Sequence, residues 1–225
     1  MVTSGTYNFA PSMGELVLYA YGLCGVRSAA LTQQHMEDAR MASNLLLGRW
    51  SSQGVNTWQV DLQTVPLTAG VGTYSVPSNT IVMLDAYITQ GGINRLILPV
   101  SRSEYASYPN PSQVGAVTVF WMDRLLSPTV TLYYVPDATQ TTLRYYRLRQ
   151  TMDSAFTDGQ NVEVPYYWLE AFAHGLAQRL AVIWAPERAM GLKQLADESY
   201  LIAASQDVEV ANVYVQPMMS GYWRT

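Results

Sequence analysis

Few side chains in this sequence have the type and spacing for chemistry. The one cysteine is Cys24, and the two histidines are His35 and His174. A nucleophilic thiol needs exposure and a neighbouring base. Cys24 instead falls on the apolar side of a helical pattern, where a thiol acts as an inert small hydrophobe. His35 lies in the first turn of a second helical segment, beside Glu37 and Asp38. His174 follows Glu170 at a spacing that puts both on one helical face, yet two ligands do not complete a metal site. Neither a His-Glu-x-x-His nor a paired-cysteine spacing occurs. Gly70-Val71-Gly72 lacks the third glycine and following helix of a dinucleotide fingerprint, and there is no phosphate-binding loop and no nucleophile elbow. Asp153, Asp158 and Glu163 fall in a loop region, where acids are ordinarily solvated. No catalytic residue, metal ligand or cofactor is assigned, and the chain reads as a non-enzyme. A small hydrolase using Cys24 with His174 or His35 is the alternative that thiol labelling would test.

Arg144, Arg147 and Arg149 make the one basic cluster. In a strand Arg147 and Arg149 share a face and Arg144 points the other way. With Tyr145 and Tyr146 interleaved, the cluster resembles a nucleic-acid surface; it reads more readily as the polar face of an edge strand, where cations deter pairing. Trp58, Trp121, Tyr133 and Tyr134 are the aromatics that could stack on a sugar, although aromatics at strand spacing belong more often to a core. A carbohydrate-binding or adhesive β module with helical flanks is therefore a competing reading.

The elements that must carry these residues run helices, strands, helices. Residues 1–11 read as an extended arm. Ser12 and Glu15 form a capping box ahead of a stripe of Met13, Leu16, Val17, Ala20, Leu23 and Cys24, with Gly25 as the stop. Thr32 caps a second helix over 33–53, striped by Met36, Ala39, Ser43, Leu46, Leu47 and Trp50, and Gly54 follows as its C′ residue. Past Val55 the period changes from helical to alternating. The clearest strand is 81–89, in which Val82, Leu84, Ala86 and Ile88 face one way and Asp85 the other. Gln90-Gly91-Gly92 turns it into a second strand ending at Pro99. A short helix capped by Ser101 follows, then strands near 116–122, 129–135 and 142–150.

From Pro165 two long helices are broken at Ala185-Pro186. Leu169, Phe172, Ala173, Leu176, Leu180, Ile183 and Trp184 stripe the first; Leu192, Leu195, Ala196, Ser199, Ile202 and Ala203 stripe the second. The expected fold is α+β: a helical bundle of residues 12–54 and 165–211, an inserted antiparallel β domain over 55–164, and a C-terminal tail over 213–225. That tail carries Tyr214, Met218, Met219, Tyr222 and Trp223. It is too apolar for a solvated tail, so it either packs on its own domain or docks on a partner, and the docking reading is preferred because exposed apolar segments mark interaction sites.

Composition narrows the partners. Charged residues make up 13% of the 225, net charge is −4, and Lys193 is the single lysine. General electrostatic capture of nucleic acid needs clustered cations, whereas so little charge suits a chain that hides surface in an assembly. No run approaches the roughly 18 apolar residues of a membrane span, and the N-terminal residues do not read as a signal peptide.

Several short stretches, in order, resemble one known family. They are Tyr21-Gly22-Leu23-Cys24-Gly25-Val26; Leu45-Leu46-Leu47-Gly48-Arg49-Trp50 followed by Gly54-Val55-Asn56-Thr57-Trp58; Gly72-Thr73-Tyr74-Ser75-Val76-Pro77; Ser101-Arg102-Ser103-Glu104-Tyr105; and Val164-Pro165-Tyr166. The family is the head-to-tail adaptors of short-tailed bacteriophages, also called tail accessory or tail tubular adaptors. The resemblance implies a structural virion protein of the neck, made in the host cytoplasm. Copies, typically twelve, would form a ring beneath the portal protein, extend the DNA channel and seat the tail nozzle or hub. Genomic DNA would pass without sequence-specific binding and no membrane would be involved. The aromatic tail would dock on the portal, and Arg144, Arg147 and Arg149 are the candidates to face lumen or DNA.

Overall fold

The computed structural model describes residues 5–7, 9–54, 56–155 and 159–208. They form a mixed α+β structure of five α-helices and a curled seven-stranded sheet. Helix α1 (Met13–Cys24) starts at the expected capping box: Ser12 N–H donates to Glu15 Oε2 at 2.8 Å, and Glu15 N–H donates back to Ser12 Oγ at 3.3 Å. It ends in a Schellman turn, with Gly25 at φ 84° and the N–H groups of Gly25 and Val26 donating to the Gly22 and Tyr21 carbonyls. Helix α2 (Gln33–Ser51) ends before Gly54, because Ser52, still in a helical conformation, closes it by donating to Arg49 O.

Helices α4 (Leu169–Trp184) and α5 (Ala189–Gln206) meet at a short 3-10 turn opened by Pro186. α4 packs on α1, α2 and α5, and the residues buried between them form one core that includes Val17, Tyr21, Leu46, Trp50, Phe172 and Leu180. Trp50, Trp168, Phe172 and Tyr200 interlock there, with ring centroids 4.9–6.2 Å apart. At Gly175 a Cβ would stand 3.0 Å from Leu46 Cδ2, so the glycine sets how closely α2 and α4 approach.

The sheet runs β1 (Val60–Pro66), β7 (Gln140–Arg149), β3 (Thr80–Gln90), β4 (Ile93–Pro99), β5 (Val119–Met122), β6 (Thr129–Tyr133), β2 (Thr73–Ser75). Three sequence expectations change here. First, alternation along β3 resets midway: Met83 pairs with Arg147 but Ala86 with Tyr145, so β3 carries one extra residue at a bulge. Met83, Ala86 and Ile88 are therefore the buried side chains, and Val82 and Leu84 are only half-buried. Second, the sheet is not wholly antiparallel. β4 and β5 run parallel, joined by a crossover through α3 (Arg102–Ser107) that spans the distance a parallel connection requires. Third, β7 is a central strand, hydrogen-bonded to β1 on one side and β3 on the other, and not an edge. The hairpin between β3 and β4 is as expected: Gly91 (φ 57°) and Gly92 (φ 81°) supply the two positive φ values of a tight two-residue turn.

A second core of Phe120, Val130, Leu132, Leu143 and Tyr145, among others, lies under this sheet. Its link to the helices is polar. Gln59, fully buried, donates to the hydroxyls of Ser51 and Thr151, and Asn44 exchanges hydrogen bonds with the Ser154 backbone. Asp207, just past α5, accepts from the Thr57 N–H and hydroxyl. Among the described residues, no helix is long and apolar enough to cross a membrane.

Candidate assembly surfaces

Three of the titratable residues singled out in the sequence, Cys24, His35 and Arg147, are buried. Cys24 is 3% exposed; its thiol donates to the Ala177 carbonyl at 3.3 Å, and burial pushes its pKa up to about 11. His35 is buried where α1, α2 and α4 meet. Its ring stacks on Trp184 at 3.8 Å and meets the edge of Tyr21 at 5.3 Å. Its Nδ1 accepts from Thr32 N–H at 3.2 Å, the role a glutamate fills in the α1 capping box. Glu170 is exposed and His174 half-buried, and no hydrogen bond joins them.

The basic cluster is divided by the fold. Arg147 is 5% exposed. Its guanidinium donates to Asp61 Oδ1 at 2.7 Å and Oδ2 at 3.1 Å, to Asn79 Oδ1 at 2.8 Å and to Thr80 Oγ1 at 2.7 Å. This corrects the expectation that Arg147 faces a lumen or DNA: its donors are spent within its own chain. Arg149 shares the same face, bridging Glu163 at 2.6 Å while standing 3.9 Å from Asp61. Hydrogen bonding from Arg147 holds the Asp61 carboxyl below its usual range. Burial works to raise Glu163, but its bonds from Arg149 and the Met152 N–H outweigh that and leave it lowered. Arg144 is half-buried and makes no ion pair among the described residues.

The aromatic group is real, with a different membership. Trp58 packs against the helical core. Trp121, Tyr133 and Tyr134 are joined by Tyr105 and Tyr108 from α3 and its exit. Tyr108 stacks on Tyr133 at 4.7 Å and Tyr133 on Tyr134 at 4.3 Å, so the rings occupy one another's faces. The missed signal was the Tyr105/Tyr108 spacing, one turn of the helix that Ser101 caps. The aromatic tail of residues 213–225, with Tyr214, Met218, Met219, Tyr222 and Trp223, lies outside the described residues.

The outside also carries rows of apolar side chains. Ile183, Leu195 and Ile202, three members of the expected helical stripes, are each 44–59% exposed. Met190, Leu201 and Val182 join them on α4 and α5, and Met41 and Leu45 extend the pattern on α2. On the sheet, Ile93, Leu96 and Leu98 of β4 are exposed, as are Leu125 and Leu126 between β5 and β6. Single exposed leucines need no explanation; rows of them along several elements mark surfaces that a partner covers.

Two clefts flank α4. One, about 690 Å³, is lined by Phe9, Leu16, Tyr19, Tyr166 and the carboxylates of Glu15 and Glu170. The other, about 60 Å³, lies between α2, α4 and α5 and holds Arg49 and Arg179 with Asp197.

A family model described as SU10 adaptor protein matches residues 28–216. The match runs from the turn before α2, through the whole sheet, to beyond α5. No curated protein matches this sequence.

Proposed function

The chain belongs to the SU10 adaptor protein family, the head–tail adaptors of bacteriophages, and from that premise we propose that it is a non-enzymatic protein of the virion neck, built on the plan of the short-tailed phages. About twelve copies form a ring beneath the portal protein, and the ring prolongs the DNA channel and seats the tail nozzle or hub. Residues 12–54 and 165–211 act as the rigid helical wedge of each copy. Residues 55–164 form the unit that points toward tail or lumen. The family match over both the helices and the sheet carries this reading. The exposed apolar rows on α2, α4, α5 and β4 support it, because a ring covers several faces of each copy. The low charge agrees: DNA must slide through a channel, and cationic contacts would hold it.

Residues 213–225 reach the portal, where burial of Tyr214, Met218, Met219, Tyr222 and Trp223 offsets the ordering of the segment. The test is co-sedimentation of the chain with purified portal rings, followed by electron microscopy. The full chain is expected to add a ring to the portal. A chain ending at residue 212 is expected to keep its melting temperature and lose portal binding. A full chain that stays monomeric beside portal rings refutes the adaptor ring, and undiminished portal binding by the truncated chain refutes the role of the tail.

A further inference from the structure

The two clefts beside α4 carry opposite charge and sit on opposite sides of the helix. Glu170 lines one and Arg179 the other. At 3.6 residues per turn they are about two and a half turns apart, which points them in opposite directions.

On the basic side, Arg49 of α2 and Arg179 of α4 share a slot of about 60 Å³ with a single acid, Asp197. Neither arginine makes an ion pair among the described residues. Burial and the nearby Arg49 charge both disfavour the charged form of Arg179, so the two guanidinium groups stand close enough to repel. Two like charges held together in a partly desolvated slot form a site in want of a carboxylate. The slot, about 60 Å³, is small and is lined by side chains of α2, α4 and α5. One turn away along their helices stand the exposed Leu45, Val182 and Leu201.

On the acidic side, Glu15 is spent on capping α1, while Glu170 is exposed and makes no hydrogen bond or ion pair among the described residues. It is flanked by Tyr166, 80% exposed, and Tyr19, 54% exposed. Arginine and tyrosine over an apolar surround are the side chains that dominate protein interfaces.

We propose that these are the two halves of one head-to-tail contact between copies, in which Glu170 of one subunit seats on the Arg49–Arg179 pair of the next. A ring requires such a contact, since only unlike faces of one chain can propagate around a closed circle. A phosphate backbone is held by a track of cations, whereas here two arginines and one acid leave a net charge of about one, which a single carboxylate balances. The proposal rests on the ring reading above and assigns its faces.

The experiment mixes full chains with portal rings and scores ring assembly by sedimentation and electron microscopy. Variants are Arg49→Glu, Glu170→Arg and the two combined, with Arg102→Glu on α3 as a control for net charge. Arg49, Glu170 and Arg102 are all exposed, so the changes leave the cores intact. Each single reversal is expected to raise the chain concentration needed for rings by about tenfold or more, the double variant to recover to within about threefold, and the control to match wild type. Singles that assemble like wild type, or a double no better than the singles, overturn the face assignment while the ring stands. A wild-type chain that forms no ring on the portal overturns the ring reading itself. If a reversal lowers the melting temperature, Arg49→Gln and Glu170→Gln decide: unchanged assembly by both overturns the proposal, and loss by both supports it.

Discussion

Replacing Asp61 by Asn decides whether the basic cluster is a surface or a structural joint. In the folded chain Asp61 faces Arg147 across the β1–β7 pairing and accepts two of its hydrogen bonds. The Arg147 side chain is 6% exposed and that of Asp61 33%. Asp61→Asn keeps the shape but leaves a buried guanidinium whose nearest acid is gone. Breaking a buried pair in this way costs about 3–5 kcal/mol, and the exposure of Asp61 argues for the lower end, about 3 kcal/mol, because water partly replaces the lost charge. At roughly 2–4 °C per kcal/mol for a chain of this size, the melting temperature falls by about 6–12 °C at neutral pH.

The pH dependence has a defined sign. Asp61 and Glu163 both have folded pKa values below their usual ones. Their stabilisation is therefore complete above the unfolded values, about 3.9 and 4.3, and drains away as pH falls through the lower folded values. The gap between wild type and Asp61→Asn should narrow progressively below about pH 4, as wild type also loses the charge. Thermal melts followed by circular dichroism between pH 3 and pH 7 provide the measurement. If Asp61→Asn melts within about 1 °C of wild type at pH 7, Arg147 is not held by this pair, and a solvent- or lumen-facing guanidinium returns as its role.

Gly25→Ala places a side chain at φ 84° and a Cβ 2.9 Å from the Arg188 guanidinium carbon; a loss of about 1–2 kcal/mol is expected in urea unfolding. Adding Arg188→Ala should relieve the crowding and leave the backbone cost, so full recovery would contradict the left-handed assignment. Gly175→Ala pushes against Leu46 Cδ2 at 3.0 Å and should cost about 1–3 kcal/mol; Leu46→Ala in the same chain should make room, and a purely additive double variant would show that the two sites do not touch. Cys24, with its pKa raised to about 11 by burial, should react with a thiol reagent at neutral pH only as fast as the helical core opens, and at full rate in denaturant. Rapid labelling of the native chain would contradict the packing of α1 on α4.

The parts legible in the sequence were those fixed by neighbouring residues. Ser12 with Glu15, Gly25 after Cys24, the Gly91-Gly92 turn and Ser101 before Glu104 all act within a few positions, and each appears in the structure with the expected hydrogen bonds or dihedrals. The stretches that carry the family resemblance fall at such corners. Tyr21–Val26 is the end of α1, Gly72–Pro77 surrounds β2, and Val164–Tyr166 leads into α4. Distance in sequence hid the rest. Asp61 and Arg147 are 86 positions apart, and nothing near Arg147 announces that its charge is spoken for. The β3 bulge was equally silent, because alternation presumes one residue per step and the extra residue shows only against β7. The parallel β4–β5 pair depends on where the α3 crossover delivers the chain.

The misplaced helical residues are more informative than the correct ones. Periodicity located an apolar stripe on α5, and the structure splits it: Leu192, Ser199 and Ala203 turn into the core, while Leu195 and Ile202 stay outside. Apolar residues repeating at helical spacing say that a face avoids water, not whether its cover comes from the same chain or another. In a lone globular chain the distinction rarely matters, since apolar stripes and core coincide. Here α5 buries three side chains along 18 residues, too few to explain a helix kept so apolar, and the surplus faces away from the core on which α5 packs. Charge behaves the same way: Glu170 and the Arg49–Arg179 pair satisfy no partner within the described fold, on sides of α4 that no single chain can bring together. The ring proposed above would resolve both together, since copies set side by side in one rotational sense bring opposed faces into contact.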